Sequence, residues 1–523
     1  MHKSQRFIII LISALMSGLS LFGQNDDDIN HYWVFFNDKE VTDQASFDPA
    51  DHVFPHLSQR ALDRRALRGT TTGPTYADLP VSENYIESVL SSEVKLRAVS
   101  RWLNAVSVSA MPEDIDDIGT FGVVKKTTRI HKVTKRSIKR NTRDEFVYTS
   151  DADYGSSFDQ NEQINAIAAH DLGYTGADVW LLMLDTGFYT DHAAFQSERI
   201  VAEYDFIQGD SVTSNQEGDV QNQHNHGTAT AATAAGYLDG ELRGSAYGAK
   251  LLLAKTEIVN EEIIAEEDMF VAALEWGEAK GADIASSSLG YLDWYTYEDL
   301  DGETAITTQG VDHAVGLGMV CVTAAGNEGG DINSDWFYVI APADADSVIS
   351  VGAVDAVNIV PSFSSHGPTF DGRIKPEVLA RGVGTFSAGT DSANSFISGS
   401  GTSFSAPLVA GACALILEAN THWSPMMVRE ALMMTADGSN SPNNTRGFGL
   451  IDVLAAIEYD FNVVIGDLTG DDELNISDAV QLLEIILADT QLTETQFEIA
   501  DINDDNVLNV LDIVVLVEWI LAL

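Results

Sequence analysis

Cysteine is scarce in this 523-residue chain, which contains only Cys321 and Cys413. Two cysteines cannot build the disulfide framework of a small secreted domain, and neither is placed to carry a lipid anchor at the N-terminus. Each lies in an apolar run, so we interpret both as buried thiols rather than catalytic nucleophiles. Whether they pair with each other is left open by the sequence.

Basic residues are also few, because 29 lysines and arginines stand against 79 aspartates and glutamates, a formal net charge of −50. The imbalance is confined to residues 146–523, which hold 10 basic and 60 acidic residues, whereas residues 1–145 hold 19 of each. A surface this acidic repels nucleic acid and anionic membranes and attracts cations such as calcium. The composition therefore argues against a nucleic-acid partner.

Long apolar runs are missing after the N-terminal segment, which predicts no membrane span in the mature chain. Basic residues at positions 3 and 6 precede an almost wholly apolar stretch over 7–22, and Gly23 comes directly before polar sequence. This pattern is typical of a secretory signal peptide over residues 1–23, and the stretch is short for the alternative, a membrane anchor. We therefore expect a secreted, extracellular protein.

The rest of the chain divides by its pattern of apolar residues. Residues 24–145 mix aromatic and β-branched runs with a short helical stretch, which predicts a small αβ domain. Their basic end is either a nucleic-acid patch or a cleavable linker. Residues 146–460 alternate fully apolar runs with helical stretches, which predicts an α/β fold with a mostly parallel sheet sandwiched by helices. Residues 461–523 contain two acidic loops, each followed by an apolar helix, and predict a small α module.

Three short patterns in the α/β region carry chemical groups. Asp185 ends the buried run 179–184, His226 opens a helix of small residues, and Ser403 lies between a glycine turn and an apolar helix. Taken singly, each has an ordinary structural role: a turn cap, a surface histidine and a helix cap. A serine at a helix start is nevertheless well placed to form an anion, because the helix dipole favours negative charge there. Asn327, at another strand end, adds an amide donor.

Together these patterns resemble those of the subtilases, the subtilisin-like serine peptidases, whose motifs occur in the same order over about residues 155–458. The resemblance implies that Asp185, His226 and Ser403 form a catalytic triad, and that Asn327 donates to the oxyanion. It also implies serine endopeptidase activity on protein or peptide substrates. The alternative is an inactive subtilase-fold protein that serves as a calcium-binding surface or adhesion protein.

The resemblance implies two further assignments. Ser288, Leu289 and Gly290 correspond to the family's substrate-binding edge. Residues 24–145 correspond to a propeptide that assists folding and inhibits until it is cut. We predict self-cleavage between about residues 135 and 153, and the slow folding of a long-range parallel sheet gives such a template a physical purpose.

The C-terminal module carries a repeat of two 12-residue acidic loops whose starts are 34 residues apart. Oxygen-bearing side chains occupy loop positions 1, 3, 5, 9 and 12 in both copies, the spacing of a calcium loop. Solvated acidic loops are the alternative. The predicted calcium ligands are Asp467, Thr469, Asp471, Asn475 and Asp478 in the first loop, and Asp501, Asn503, Asp505, Asn509 and Asp512 in the second.

The two loops with their apolar helices resemble dockerin repeats. The resemblance implies a partner, a cohesin-bearing scaffold or surface protein, and hence association with a cell surface. A calcium module that only stabilises the chain is the alternative. The predicted organisation is a signal peptide (1–23), a propeptide (24–145), a catalytic domain (146–460) and a dockerin-like module (461–523).

Overall fold

A computed structural model describes most of the chain beyond the signal segment. It describes residues 29–130 apart from 42, 43, 70 and 72, residues 153–330 apart from 260–262 and 264, and residues 336–459. In the C-terminal module it describes 461, 465–469, 474–488, 492, 494–503 and 507–522. The predicted signal peptide and the predicted cleavage segment, apart from residue 153, lie outside the described residues.

The described residues form fifteen strands and fourteen α-helices, numbered in chain order. The strands are β1 (Asn30–Phe36), β2 (Lys95–Ser100), β3 (Ala105–Ala110), β4 (Val124–Ile130), β5 (Trp180–Asp185), β6 (Ile200–Asp205), β7 (Tyr237–Leu238), β8 (Leu242–Arg243), β9 (Lys250–Lys255), β10 (Ile284–Ser287), β11 (Val320–Ala324), β12 (Ile349–Val354), β13 (Val378–Arg381), β14 (Thr385–Ala388) and β15 (Phe396–Gly399). The helices are α1 (Gln59–Arg68), α2 (Glu83–Leu90), α3 (Pro112–Ile118), α4 (Phe158–Gln163), α5 (Ala166–Asp171), α6 (Asn225–Ala235), α7 (Ala265–Lys280), α8 (Ile306–Gly316), α9 (Thr402–Ala419), α10 (Pro425–Met434), α11 (Val453–Ile457), α12 (Ile476–Ala488), α13 (Glu494–Ala500) and α14 (Val510–Ala522).

The central sheet has seven parallel strands in the order β13-β12-β11-β10-β5-β9-β6. Strands such as β11 and β12 are buried along their whole length, which explains their apolar sequence on both faces. From β5 the chain first builds β6 and β9 on one side and then returns to build β10–β13 on the other. Because the strand order reverses at β5, a crevice is expected at its carboxyl end. The predicted α/β fold is confirmed.

The N-terminal region forms a separate antiparallel sheet in the order β2-β3-β1-β4. The sequence predicts strands at 32–36, 103–108 and 122–124 and a helix over 111–118. The helix and the first two strands are present with ends shifted by one or two residues, whereas β4 shares only Val124 with the third predicted strand. Residues up to 457 belong to one compact unit, so this sheet packs directly on the α/β region. Trp33 and Trp102 share a hydrophobic core with Phe270 of α7.

Helix α9 runs through the middle of the α/β region and is almost wholly buried. It is the one helix among the described residues that is long and apolar enough to cross a membrane, although 89% of it is buried inside the protein. The expectation that no segment after the signal has this length and composition is therefore wrong. Its apolar sequence is explained by contact with β10–β13 in the core.

Residues 458–523 form a second compact unit. Helices α12 and α14 pack against each other, and Leu482 and Leu516, 34 residues apart, are both fully buried between them. The two helices are three residues longer at their N-termini than the predicted 479–487 and 513–523. The repeat in the sequence thus corresponds to a repeat in the packing.

Candidate active site

Asp185 and His226 form a hydrogen-bonded pair at the carboxyl end of the central strand. Asp185 is the last residue of β5 and is fully buried, and His226 is the second residue of α6. The distance from His226 Nδ1 to Asp185 Oδ1 is 2.7 Å. The carboxylate accepts the Nδ1 hydrogen and so leaves Nε2 as the basic nitrogen. The pair is the arrangement in which an imidazole acts as a general base.

Gly227 permits this close approach of helix and strand. A methyl group on Gly227 would lie 2.9 Å from Asp185 Cβ, closer than side-chain atoms pack. Any larger residue directly after His226 would therefore push α6 away from β5 and break the pair. The sequence pattern of a histidine followed by small residues is explained by this contact.

The second oxygen of Asp185 is held by a residue that was not identified from the sequence. Thr230 donates its hydroxyl hydrogen to Asp185 Oδ2 at 2.9 Å, while the backbone N–H of Thr186 donates to Oδ1 at 2.7 Å. The buried carboxylate thus has polar partners on both oxygens, as a buried charge requires. Thr230 follows His226 by four residues on the same helix, and this spacing is the signal that could have identified it.

Ser403 lies at the N-terminal end of α9, where Gly401 turns the chain into the helix with a φ of 146°. The sequence predicts this helix over 406–419, a start four residues too late, since α9 begins at Thr402 and includes Ser403. The serine side chain therefore sits in the first turn, where backbone N–H groups have no helical acceptor. The ring of Phe404, the next residue, is 6.5 Å from the ring of His226, which brings the imidazole beside this turn.

Pro407 lies inside α9 and explains a contact of the serine backbone. A proline has no N–H to donate to the carbonyl four residues earlier, which here is Ser403 O. That carbonyl instead accepts the hydroxyl hydrogen of Ser288 at 2.9 Å. The predicted substrate-binding edge, which follows β10, is thereby tied to the serine.

Asn327 follows β11, and its amide is oriented by Thr402. Its Oδ1 accepts the backbone N–H of Thr402 at 2.9 Å and faces the Thr402 hydroxyl at 3.2 Å. Because only the oxygen can accept a backbone N–H, the Nδ2 group must point away from Thr402. A methyl group on Gly401 would lie 3.1 Å from Ser403 Oγ and 3.6 Å from both Nδ2 and Oδ1 of Asn327, so the serine hydroxyl and the asparagine amide border one small space.

The two cysteines are free, buried thiols. This answers the question that the sequence left open, and the pair does not form a disulfide. Burial raises the pKa of both thiols well above the ordinary value, so they stay protonated. A protonated thiol is a weak nucleophile, which argues against a catalytic role.

In the C-terminal unit, the carboxylates at position 12 of the two acidic loops are fully buried and bind the loop backbone. Asp478 accepts the N–H groups of residues 468, 469 and 475, and Asp512 accepts those of residues 502, 503 and 509. The two sets are the same loop positions 2, 3 and 9. Burial alone would raise the pKa of Asp478, but the hydrogen bonds from Asn475 and Thr469 bring it below the ordinary value.

The other predicted calcium ligands are only partly described. Thr469 Oγ1 lies 3.3 Å from Asp467 Oδ1 and 2.8 Å from Asp478 Oδ1, so three first-loop ligands face one another. Asp471 and Asp505, at position 5, lie outside the described residues. Within the described part of the chain, no group of three or more histidine, cysteine, aspartate or glutamate side chains is placed to hold a metal ion.

Two family models match the chain. The model of the subtilase family matches residues 176–449, and that of the peptidase S8 propeptide domain of Bacteroidota matches residues 31–146. The second match covers the N-terminal antiparallel sheet. It agrees with the propeptide expected from the sequence over 24–145.

Curated relatives resemble the α/β region. Subtilisin DY from Bacillus licheniformis is 34% identical over 286 residues, 55% of this chain and 93% of that protein. Subtilisin from Bacillus pumilus is 32% identical over 299 residues, 57% of this chain and 97% of that protein. Subtilisin E from Bacillus subtilis is 32% identical over 315 residues, 60% of this chain and 72% of that protein. The chain therefore belongs to the subtilase family and is a serine-type peptidase.

Proposed function

We propose that the chain is a secreted serine endopeptidase, made with a propeptide, that hydrolyses peptide bonds through Asp185, His226 and Ser403. The observation that carries the proposal is the 2.7 Å contact between His226 Nδ1 and Asp185 Oδ1, formed where the sheet order reverses. Secretion follows from the signal pattern over residues 1–23.

The mechanism begins with attack of Ser403 Oγ on the scissile carbonyl carbon. His226 Nε2 takes the hydroxyl proton, and Asp185 stabilises the imidazolium that forms. The proton then passes from His226 to the leaving amine, the C–N bond breaks, and an ester joins the acyl group to Ser403. Water repeats the same steps and releases the acid.

Negative charge develops on the carbonyl oxygen during each attack. Asn327 Nδ2 and the Ser403 backbone N–H are the proposed donors to this oxygen. As the second residue of α9, Ser403 has an N–H without a helical acceptor, and the helix dipole adds a favourable field. Fixed donors of this kind stabilise the transition state more than the bound substrate.

Replacing Asn327 by aspartate is expected to lower kcat by about 10²- to 10³-fold with little change in KM. Aspartate keeps an oxygen for the Thr402 contacts, removes the N–H donor and adds a negative charge that repels the oxyanion, so the loss should be at least that of the donor alone. The measurement is steady-state hydrolysis of a peptide substrate by both proteins. A variant with wild-type kcat would rule out the donor role of Asn327.

An inactive subtilase-fold surface or adhesion protein is the competing function. The specific contacts argue against it, since both oxygens of Asp185 are bound and the His226 contact is intact. Burying a charge costs stability, so a protein without catalytic activity would gain nothing from keeping a buried carboxylate at a strand end. Casein hydrolysis by the purified protein separates the two.

We further propose that the C-terminal unit is a dockerin-like module that binds two calcium ions. The residues present fit this metal, because carboxylate, hydroxyl and amide oxygens are the hard ligands that calcium prefers. The matching backbone contacts of Asp478 and Asp512 support two equivalent loops.

The single variants Asp478→Asn and Asp512→Asn are each expected to bind one calcium ion fewer than the wild-type chain, and the double variant two fewer. Asparagine keeps an oxygen for the N–H groups of loop positions 2 and 3, loses the acceptor for the N–H of position 9, and removes the charge that holds the cation. Calorimetric titration of calcium into the full chain measures the stoichiometry. An unchanged number of ions in the double variant would contradict the assignment.

The proposed partner is a cohesin-like protein domain. Helices α12 and α14 expose apolar side chains that are 43–81% exposed: Ile476, Val480, Leu483 and Leu487 in α12, and Val510, Val514 and Leu521 in α14. Three pairs of these positions differ by 34 residues, so the repeat extends to the exposed surface. Calcium-dependent capture by immobilised cohesin domains would support this partner, and its failure with both ions bound would favour a module that only stabilises the chain.

A further inference from the structure

Three backbone segments enclose the space next to Ser403 Oγ. Two are the predicted substrate-binding edge after β10 and the segment after β11 that ends in Asn327. The third, residues 339–341, connects them. Ile340 N–H donates to Ala325 O at 3.2 Å, and Tyr291 and Ala341 exchange backbone hydrogen bonds of 2.7 and 3.2 Å. The third segment therefore closes the far end of the space between the other two.

The walls of this space carry glycines where they face each other. A methyl group on Gly290 would lie 2.5 Å from Ile340 Cδ1, and one on Gly326 would lie 3.2 Å from Ile340 Cγ1. The Ile340 side chain thus lies across both glycines. The backbone of Gly290 is not in the left-handed region, so backbone geometry does not require glycine there. Glycine is needed because a side chain would occupy the position of Ile340.

A substrate must direct one side chain into this space. Its carbonyl carbon has to reach Ser403 Oγ while its carbonyl oxygen reaches Asn327 Nδ2. The α-carbon of that residue is one bond from the carbonyl carbon, so its side chain enters between the two glycine walls. Ile340 then occupies the depth that a long or aromatic side chain would need.

We infer that Ile340 is a specificity-determining residue that restricts cleavage to the carboxyl side of small residues, glycine, alanine or serine. This inference rests on the proposed function, because it needs Ser403 as the nucleophile. One methylene in an apolar pocket changes specificity by about 10- to 200-fold, so the removal of three carbons from Ile340 should have an effect of this order.

The test compares kcat/KM for two peptide anilides that differ only in having alanine or phenylalanine before the scissile bond. The wild-type protein is expected to prefer alanine by at least about 10-fold. In Ile340→Ala the phenylalanine-to-alanine ratio should rise by about 10- to 200-fold, and in Ile340→Val by less. Ile359→Ala, at an isoleucine that is 61% exposed, is the matched control and should leave the ratio unchanged.

Labelling with a small alkyl fluorophosphonate gives the fraction of competent sites in each protein. Rates per labelled site remain meaningful even if Ile340→Ala folds poorly, and Ile340→Val provides a milder change. A wild-type protein that neither labels nor cleaves would overturn the proposed function. A protein that labels and cleaves, but whose ratio is the same in both Ile340 variants as in the wild type, would overturn only the role of Ile340.

Discussion

Replacing Ser403 by alanine is expected to lower kcat by about five to six orders of magnitude, which is the scale of the same loss in subtilisin itself. Alanine removes the nucleophilic oxygen but leaves the hydrogen bond between His226 and Asp185 and the Asn327 donor in place. Only oxyanion stabilisation and substrate binding then remain. Hydrolysis of a peptide anilide by the purified mature proteins measures the effect.

Ser405 provides a matched control in the same turn of α9. It is fully buried, and its hydroxyl has no hydrogen-bond partner in the described part of the chain, so Ser405→Ala removes the same atom type without a lost contact. We expect near-wild-type kcat. Ser403→Ala should also fail to cut its own propeptide. Its precursor is therefore processed by a trace of affinity-tagged wild-type enzyme, and that enzyme is removed by its tag before the assay. Equal activity in Ser403→Ala and Ser405→Ala would contradict the assignment.

Replacing Glu278 by alanine is expected to destabilise packing of the propeptide region by about 3–5 kcal/mol. Glu278 belongs to α7 and contacts Arg64 and Arg65 of α1, and all three side chains are at most 2% exposed. Arg65 also donates to Asp78 at 2.6 and 2.9 Å. Removing the glutamate leaves two buried guanidinium groups without this partner, which is the costly way to break a buried ion pair.

Urea unfolding of the inactive Ser403→Ala precursor, followed by tryptophan fluorescence, measures this loss. Glu87→Ala is the control, because Glu87 is exposed on α2 and surface changes cost no more than about 0.5 kcal/mol. Should Glu278→Ala unfold at the same urea concentration as Glu87→Ala, the network would contribute nothing to holding the propeptide region.

The same network gives a pH dependence. Burial alone would raise the pKa of Asp78, but its hydrogen bonds with Arg65 and Thr75 lower it to about 2. A folded-state pKa below the unfolded value of 3.8 contributes stability that is fully present above pH 3.8 and lost as the pH falls toward 2.

Local sequence predicted the fold class and the identity of the hydrogen-bonded residues Asp185 and His226 well. Asp185 could be placed at a strand end because an apolar run precedes it, and His226 at a helix start because small residues follow it. The start of α9 was predicted too late, since Pro407 is typical of the first helical turn. Pro407 is tolerated inside the helix because its missing N–H is replaced as a donor. The Ser288 hydroxyl donates a hydrogen bond to the Ser403 carbonyl oxygen instead.

The contacts that the sequence could not predict are long-range ones. Ile340 reaches Gly290 and Gly326 from a segment with no motif of its own, so the depth of the space beside Ser403 is visible only in three dimensions. Likewise, Glu278 and Arg65 are 213 residues apart, and their pairing depends on how the N-terminal sheet packs on α7. Charge composition showed that residues 1–145 are balanced and residues 146–523 are strongly acidic, but not which residues form pairs.

Covalent labelling tests the central claim most directly. The mature protein is treated with an alkyl fluorophosphonate, digested and sequenced by mass spectrometry, with His226→Ala treated in parallel. We predict a single adduct on the peptide that contains Ser403, located on that residue, and greatly slowed labelling in His226→Ala. An adduct on a different serine, or labelling of Ser403 at an equal rate without the imidazole, would contradict a nucleophile activated by the Asp185–His226 pair.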